Sequence, residues 1–143
     1  MSEFENRSVP ESVKAPGARV LVVDDTKMNL MVLASLLKKT EAMVDTAASG
    51  AEAVEKAAKT AYDLILMDQR MPGMDGTEAM HNIRSTEGGA SSAAPVICLT
   101  ADDVSGAKEK YLAEGFADYL TKPVESAALK AMLFEHLPAD KIQ

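Results

Sequence analysis

Five polar residues of this chain stand where apolar runs end. Asp24 and Asp25 follow Arg19-Val20-Leu21-Val22-Val23, and Asp68 follows the run from Tyr62 to Met67. Thr100 follows Pro95 to Leu99, and Lys122 comes just after Ala117 to Leu120. Three carboxylates gathered in one place repel one another and call for a cation. Hard oxygen ligands with no His or Cys beside them select Mg²⁺ or Mn²⁺ rather than Zn²⁺. Lys122 adds a fixed positive charge and Thr100 a hydroxyl donor. A divalent ion, an ammonium and a hydroxyl around one carboxylate suit a phosphoryl group carried on that carboxylate. A single Asp after a strand is ordinarily a helix cap or turn residue. Asp75, in Met-Asp-Gly, is assigned that bland role; the set of five is not, because five caps would have to converge by chance.

The elements around these residues repeat as strand, turn and helix, five times. The run 19–23 is β-branched and continuous, the mark of a strand buried on both faces. Leu30, Leu33, Leu36 and Leu37 then follow helical spacing, with Lys38 and Lys39 at the carboxyl end, where cations suit the helix dipole. Met43 to Thr46 reads as a weaker strand. Ser49 to Glu52 reads as a capping box opening an Ala-rich helix. Later helices are expected at Gly76 to about Arg84, about Val104 to Ala113, and Glu125 to Leu137. The Gly- and Ser-rich segment 88–94 is expected to be a flexible loop. Residues 1–17 read as a linker or leader, 18–137 as one domain and 138–143 as a tail, with no output domain following. Alternating strands and helices require an α/β fold: a doubly wound, five-stranded parallel sheet covered on both faces. The two strongest runs belong at its centre, as in the flavodoxin-like order 2-1-3-4-5, whose switch point lies between them. The carboxyl ends of the strands then line one crevice.

Composition excludes several classes. A net charge of −7 and 4% aromatic residues over 143 residues offer neither a basic face nor stacking platforms for nucleic acid. No apolar stretch approaches the roughly 20 residues of a membrane span, and the start is no signal peptide. A single cysteine, Cys98, forms no internal disulfide and reads as a small core residue in a reducing, cytoplasmic setting. No P-loop or G-x-G-x-x-G follows any strand. His81 and His136 sit on amphipathic helices with no acidic partner suggested by spacing, and neither reads as a phosphodonor.

The segments V-L-V-V-D-D-T at 20–26, D-L-I-L-M-D-Q-R-M-P-G-M-D-G at 63–76, P-V-I-C-L-T-A at 95–101 and D-Y-L-T-K-P-V at 118–124 resemble the response-regulator receiver family. The resemblance covers about residues 18–137. It implies a CheY-like fold with Asp68 as phosphoacceptor. Asp25, Asp68 and the backbone carbonyl of Arg70 would hold Mg²⁺ directly, and Asp24 largely through water. Thr100 and Lys122 would bind the phosphoryl oxygens, Lys122-Pro123 would be cis, and Thr100 with Tyr119 would form the switch pair. Thr26 departs from the Asn or charged residue that many members carry, which bears only on local turn chemistry. The implied partners are a histidine kinase or a histidine phosphotransfer domain, with a phosphorylation-dependent dimer left open. Such a domain promotes its own phosphorylation and dephosphorylation without being a conventional enzyme. The leader K-A-P-G-A-R-V and the run M-N-L-M-V-L-A-S-L-L-K are similar to receivers that trail hybrid sensor histidine kinases.

Two expectations concern regulation. Arg70, two residues past Asp68, and Asp102, two past Thr100, would meet at the mouth of the site and shield the phosphoryl group from water. Phosphorylation would draw Thr100 inward, let Tyr119 fill the vacated space past Ala101, and remodel the face of the fourth helix, fifth strand and fifth helix, including Lys110 and Tyr111. The competing readings are a pseudoreceiver that docks without being phosphorylated and a Mg²⁺ phosphohydrolase. The first would lack an acid, the Thr or the Lys; the second would carry D-x-D after the first strand.

Overall fold

The structure, a computed structural model, describes residues 14–101 and 106–142. Strands β1 (Arg19–Val23), β2 (Met43–Ala47), β3 (Leu64–Asp68), β4 (Val96–Thr100) and β5 (Asp118–Thr121) alternate with helices α1 (Lys27–Lys38), α2 (Gly50–Lys59), α3 (Gly76–Ser85), α4 (Ala107–Glu114) and α5 (Ser126–His136). All four strand pairings are parallel, in the order β2-β1-β3-β4-β5. This is the expected order, with the two most apolar strands adjacent at the centre. The expected bounds of β1 match the observed ones, and those of the other elements differ by at most three residues. Asp68 and Thr100 are the last residues of their strands rather than the first of the loops.

Strand alternation divides the core in two. Leu21, Val23, Ile65, Met67, Val96 and Cys98 face one side, where α2, α3 and α4 cover them with Ala53, Ala57, Ala79, Met80, Ile83, Ala107 and Tyr111. Val20, Val22, Leu64, Leu66, Ile97 and Leu99 face the other, under Leu33 and Leu37 of α1 and Leu129, Met132 and Leu133 of α5. Each fully buried large aliphatic stabilises the fold by about 1.5–3 kcal/mol. Cys98 is a buried free thiol within this packing, and burial pushes its pKa up to about 12.

Local chemistry fixes the helix starts. Ser49 Oγ accepts the Glu52 N–H at 3.1 Å, while the Glu52 carboxylate reaches back to the Ala48 N–H at 2.9 Å. Asp75 caps α3 by accepting the Glu78 N–H at 2.8 Å, as its bland assignment requires. Gly76 is needed for a different reason. A β-carbon there would lie 2.3 Å from the Asp68 carbonyl oxygen and 2.9 Å from Gln69 Cα, so only glycine lets α3 start against the end of β3.

Two sequence expectations are revised. The 88–94 segment is tied down, because Ser91 is buried and its hydroxyl bridges the Tyr62 N–H and the Thr60 carbonyl at 2.7 and 2.5 Å. Arg84 adds hydrogen bonds to the Ser92 and Ala94 carbonyls. His136 has an acidic neighbour after all: its Nε2 lies 3.2 Å from the buried Asp118 carboxylate and 3.7 Å from Glu135. At the chain ends, Ala15 is fully buried and donates its N–H to the Thr40 carbonyl, and Lys141 pairs with Asp63 beside a short 3-10 turn, Ala139–Lys141.

The Asp118–His136 contact pins the end of α5 to the start of β5. Burial alone would raise the Asp118 pKa, but His136, the Tyr119 N–H and Lys108 together hold it below the usual carboxylate value. A depressed carboxyl pKa stabilises the fold above about pH 4, and that stabilisation fades as pH falls through the folded-state value. Asp118→Asn should therefore cost about 1–3 kcal/mol in urea unfolding at pH 7, and the gap from wild type should close in acid. A pH-independent gap would contradict this account. Gly76→Ala should cost about 1–3 kcal/mol or more. Gly17→Ala, where an added carbon meets nothing within 4 Å, should cost little in the same assay.

Candidate phosphoacceptor site

The carboxyl ends of β1, β3 and β5 meet at the crevice that the topology requires. Asp24, the first residue after β1, is wholly buried. Its carboxylate accepts the Thr26 N–H at 2.9 Å and the Asn29 side-chain amide at 3.2 Å. Thr26 thus serves the site through its backbone, and its side chain makes no capping hydrogen bond. Asp25 is exposed at the rim. Asp68 is 4% exposed, and one of its carboxylate oxygens lies within 4.8 Å of an oxygen of Asp24 and of Asp25. Lys122 follows β5, with its N–H on the Thr100 carbonyl at 2.8 Å and a cis peptide to Pro123. Its ammonium donates to Asp68 at 2.7 Å and to Asp24 at 3.2 Å.

The charges do not balance. Carboxylates this close repel by about 3 kcal/mol per pair at an effective dielectric near 20, and one ammonium faces three of them. Burial, with the Asp24 charge added, raises the Asp68 pKa against the pull of Lys122 and the Arg70 backbone N–H. Burial would lower the Lys122 pKa, but Asp68 and Asp24 raise it, so the lysine stays charged. A buried acid whose pKa is raised despite a lysine ammonium 2.7 Å away marks a site short of positive charge. Its all-oxygen donor set fits a hard divalent cation.

The remaining expected residues surround this cluster. Thr100 is buried, and its hydroxyl lies 3.0 Å from the Tyr111 hydroxyl of α4. Tyr119 is partly buried on β5, beside Cys98 in register, with its ring centroid 6.0 Å from that of Tyr111. Arg70 is exposed on the loop after β3, lining an open groove with Gln69, Met71, Pro72 and Asp75. Its expected partner Asp102 lies outside the described residues. Asn29 escaped the sequence reading, and Gly76 and Tyr111 entered it only as a helix start and as part of the remodelled face. Asn29 carried a weak signal, being one helical turn past the acidic pair. The contacts of the other two are visible only once the strands and helices are placed.

These features agree with what the chain is similar to. The family model for the response regulator receiver domain matches residues 20–134. The signal transduction histidine-protein kinase BarA of Escherichia coli (strain K12) is 40% identical over 123 residues, which cover 86% of this chain and 13% of the kinase. The chain thus spans about an eighth of that relative's length. The receiver domain of sensor histidine kinase PA1611 from Pseudomonas aeruginosa PAO1, described with a magnesium ion coordinated in its active site cleft, is 38% identical with a TM-score of 0.74, covering 84% of this chain and 97% of that one. A chain from the complex of the Saccharomyces cerevisiae histidine phosphotransfer protein Ypd1 with the receiver domain of Ssk1 is 31% identical with a TM-score of 0.78, covering 94% of each. With β1, β3 and β5 delivering two buried acids and a lysine to one crevice, and with the family model spanning nearly the whole fold, this chain belongs to the response regulator receiver family.

Proposed function

We propose that the chain is the phosphoacceptor receiver of a two-component phosphorelay, taking a phosphoryl group from a phosphohistidine onto Asp68. The observation that carries this is the Lys122 ammonium, 2.7 Å from Asp68 within a cluster of three carboxylates. An Asp68 oxygen attacks phosphorus, the new O–P bond forms as the N–P bond breaks, and the electron pair leaves on the imidazole nitrogen. Lys122 and Thr100 receive the phosphoryl oxygens. Asp25, Asp68 and the Arg70 carbonyl would hold Mg²⁺ or Mn²⁺, with Asp24 acting more remotely, and the ion would supply the missing positive charge. Arg70 with Asp102 tunes access of water to the product. The kinship to BarA supports reading the chain as the receiver of a hybrid kinase. Its donor, a histidine charged from ATP, puts the work in the cytoplasm.

The donor is proposed to be a kinase or a histidine phosphotransfer domain, as in the Ypd1–Ssk1 complex. It would dock on the outer face of α1, which begins two residues after Asp25. Met28, Met31 and Val32 are 72%, 63% and 52% exposed there, and line a shallow apolar groove with Lys27, Ser35 and Leu36. Exposed aliphatics beside a transfer site suit a partner helix. Phosphorylation would then act on Thr100 and Tyr119 and remodel the face formed by α4, β5 and α5.

Acetyl phosphate with Mg²⁺ should add one phosphoryl group by intact-mass measurement. Chelating the metal, or Asp68→Asn, should reduce labelling by more than about tenfold, equivalent to about 1.4 kcal/mol or more. Undiminished labelling of Asp68→Asn would refute the assignment. Met31→Glu should slow transfer from a phosphorylated histidine phosphotransfer protein by roughly tenfold. Labelling by acetyl phosphate should be unchanged. Equal rates from the protein donor would remove α1 as the docking face.

A further inference from the structure

Tyr111 occupies a position that the switch reading leaves without a task. Only Ala107 and Tyr111 of the eight residues of α4 are buried, so this ring is the main anchor of α4 on the sheet. It is 1% exposed, meets Phe116 edge-on at 6.2 Å and 81°, and tilts over Tyr119 at 6.0 Å and 36°. Lys110 lies over its ring at 5.2 Å. Its hydroxyl is 3.0 Å from Thr100 Oγ1, both residues being buried.

Strand alternation sets the direction of that hydrogen bond. Thr100 shares the parity of Cys98, whose side chain enters the α2–α3–α4 side of the core. Asp68 shares the parity of Leu64 and Leu66, on the α1–α5 side. Asp68 sits beside Leu99 in register, one residue short of Thr100. The Thr100 hydroxyl is therefore turned toward α4, away from the face that Asp68 continues. To donate to a phosphoryl group on Asp68 it must swing toward the α1–α5 side of the sheet, away from the Tyr111 hydroxyl.

We infer that Tyr111 is a positioning residue that holds Thr100 in the unphosphorylated arrangement and carries its departure directly to α4. The inference rests on the reading of Asp68 as phosphoacceptor. Phosphorylation then breaks a hydrogen bond to a buried phenol, and that loss opposes the active state. The phenol loses this contact, and α4, anchored through this ring, shifts with it. Thr100 thereby answers to two hydroxyphenyl rings, Tyr119 beside it on β5 and Tyr111 above it on α4.

The test is titration of wild type, Tyr111→Phe and Tyr111→Leu with beryllofluoride and Mg²⁺, followed by NMR. Tyr111→Phe keeps the ring and removes only the oxygen. It should bind the adduct roughly three- to tenfold more tightly. Before any addition, its Thr100 and Tyr119 amide resonances should already be displaced toward their bound positions. Tyr111→Leu should bind more tightly as well. Unchanged or weaker binding by Tyr111→Phe would overturn the inference, as would lower stability in both variants without a change in adduct affinity. A wild-type protein that takes no adduct would overturn the phosphoacceptor reading itself, and this one with it.

Discussion

The ammonium of Lys122 is the contact on which the rest depends. It is delivered from the end of β5 to buried carboxylates from the ends of β1 and β3, so it joins strands distant in sequence at one point. A single positive charge cannot neutralise the group. The raised pKa of Asp68 records the remainder, as burial and Asp24 together outweigh what Lys122 and a backbone N–H provide. The excess of carboxylates is what the proposed function assigns to a divalent cation, and an anionic phosphoryl group would be accommodated on the same terms.

The two-sided core turns that site into a relay. Residues of one parity lead from Asp24 and Asp68 toward α1 and α5, and those of the other lead from Thr100 toward α4. In the proposed function, the side that would meet a donor and the side that would change afterwards are therefore different surfaces. Both are governed by residues at neighbouring strand ends. Close packing across the sheet makes this arrangement discrete rather than yielding, because neither half can shift without unseating ladder residues of the other. Gly76 extends the same rigidity to α3, which starts against the backbone of Asp68 itself.

Much of this was legible in the residues. The runs at 19–23 and 62–67 are strongly apolar, so their central place and the meeting of Asp24, Asp25, Asp68 and Lys122 followed from topology, whereas the Thr100 hydroxyl turns to α4. Asp75 and Ser49 declared themselves as caps because capping is local, spanning three residues. What stayed hidden depends on contacts between elements. Asp118 and His136 are 18 residues apart and become partners only when α5 lies along β5. The 88–94 segment has a loop's composition, yet Ser91 fastens it by spanning the Thr60–Tyr62 turn. Tyr111 read as one more residue of a helix face, since no periodicity reveals that its hydroxyl reaches Thr100. Asp102, the expected partner of Arg70, lies outside the described residues.

The central claim is that Asp68 is the acid that the cluster prepares for a phosphoryl group. A crystal structure with Mg²⁺ and beryllofluoride tests it most directly. The account predicts a beryllium adduct on an Asp68 oxygen, with Lys122 and Thr100 donating to its fluorides and the metal among Asp24, Asp25 and Asp68. An adduct on another carboxylate, or a metal bound away from these three acids, would contradict it.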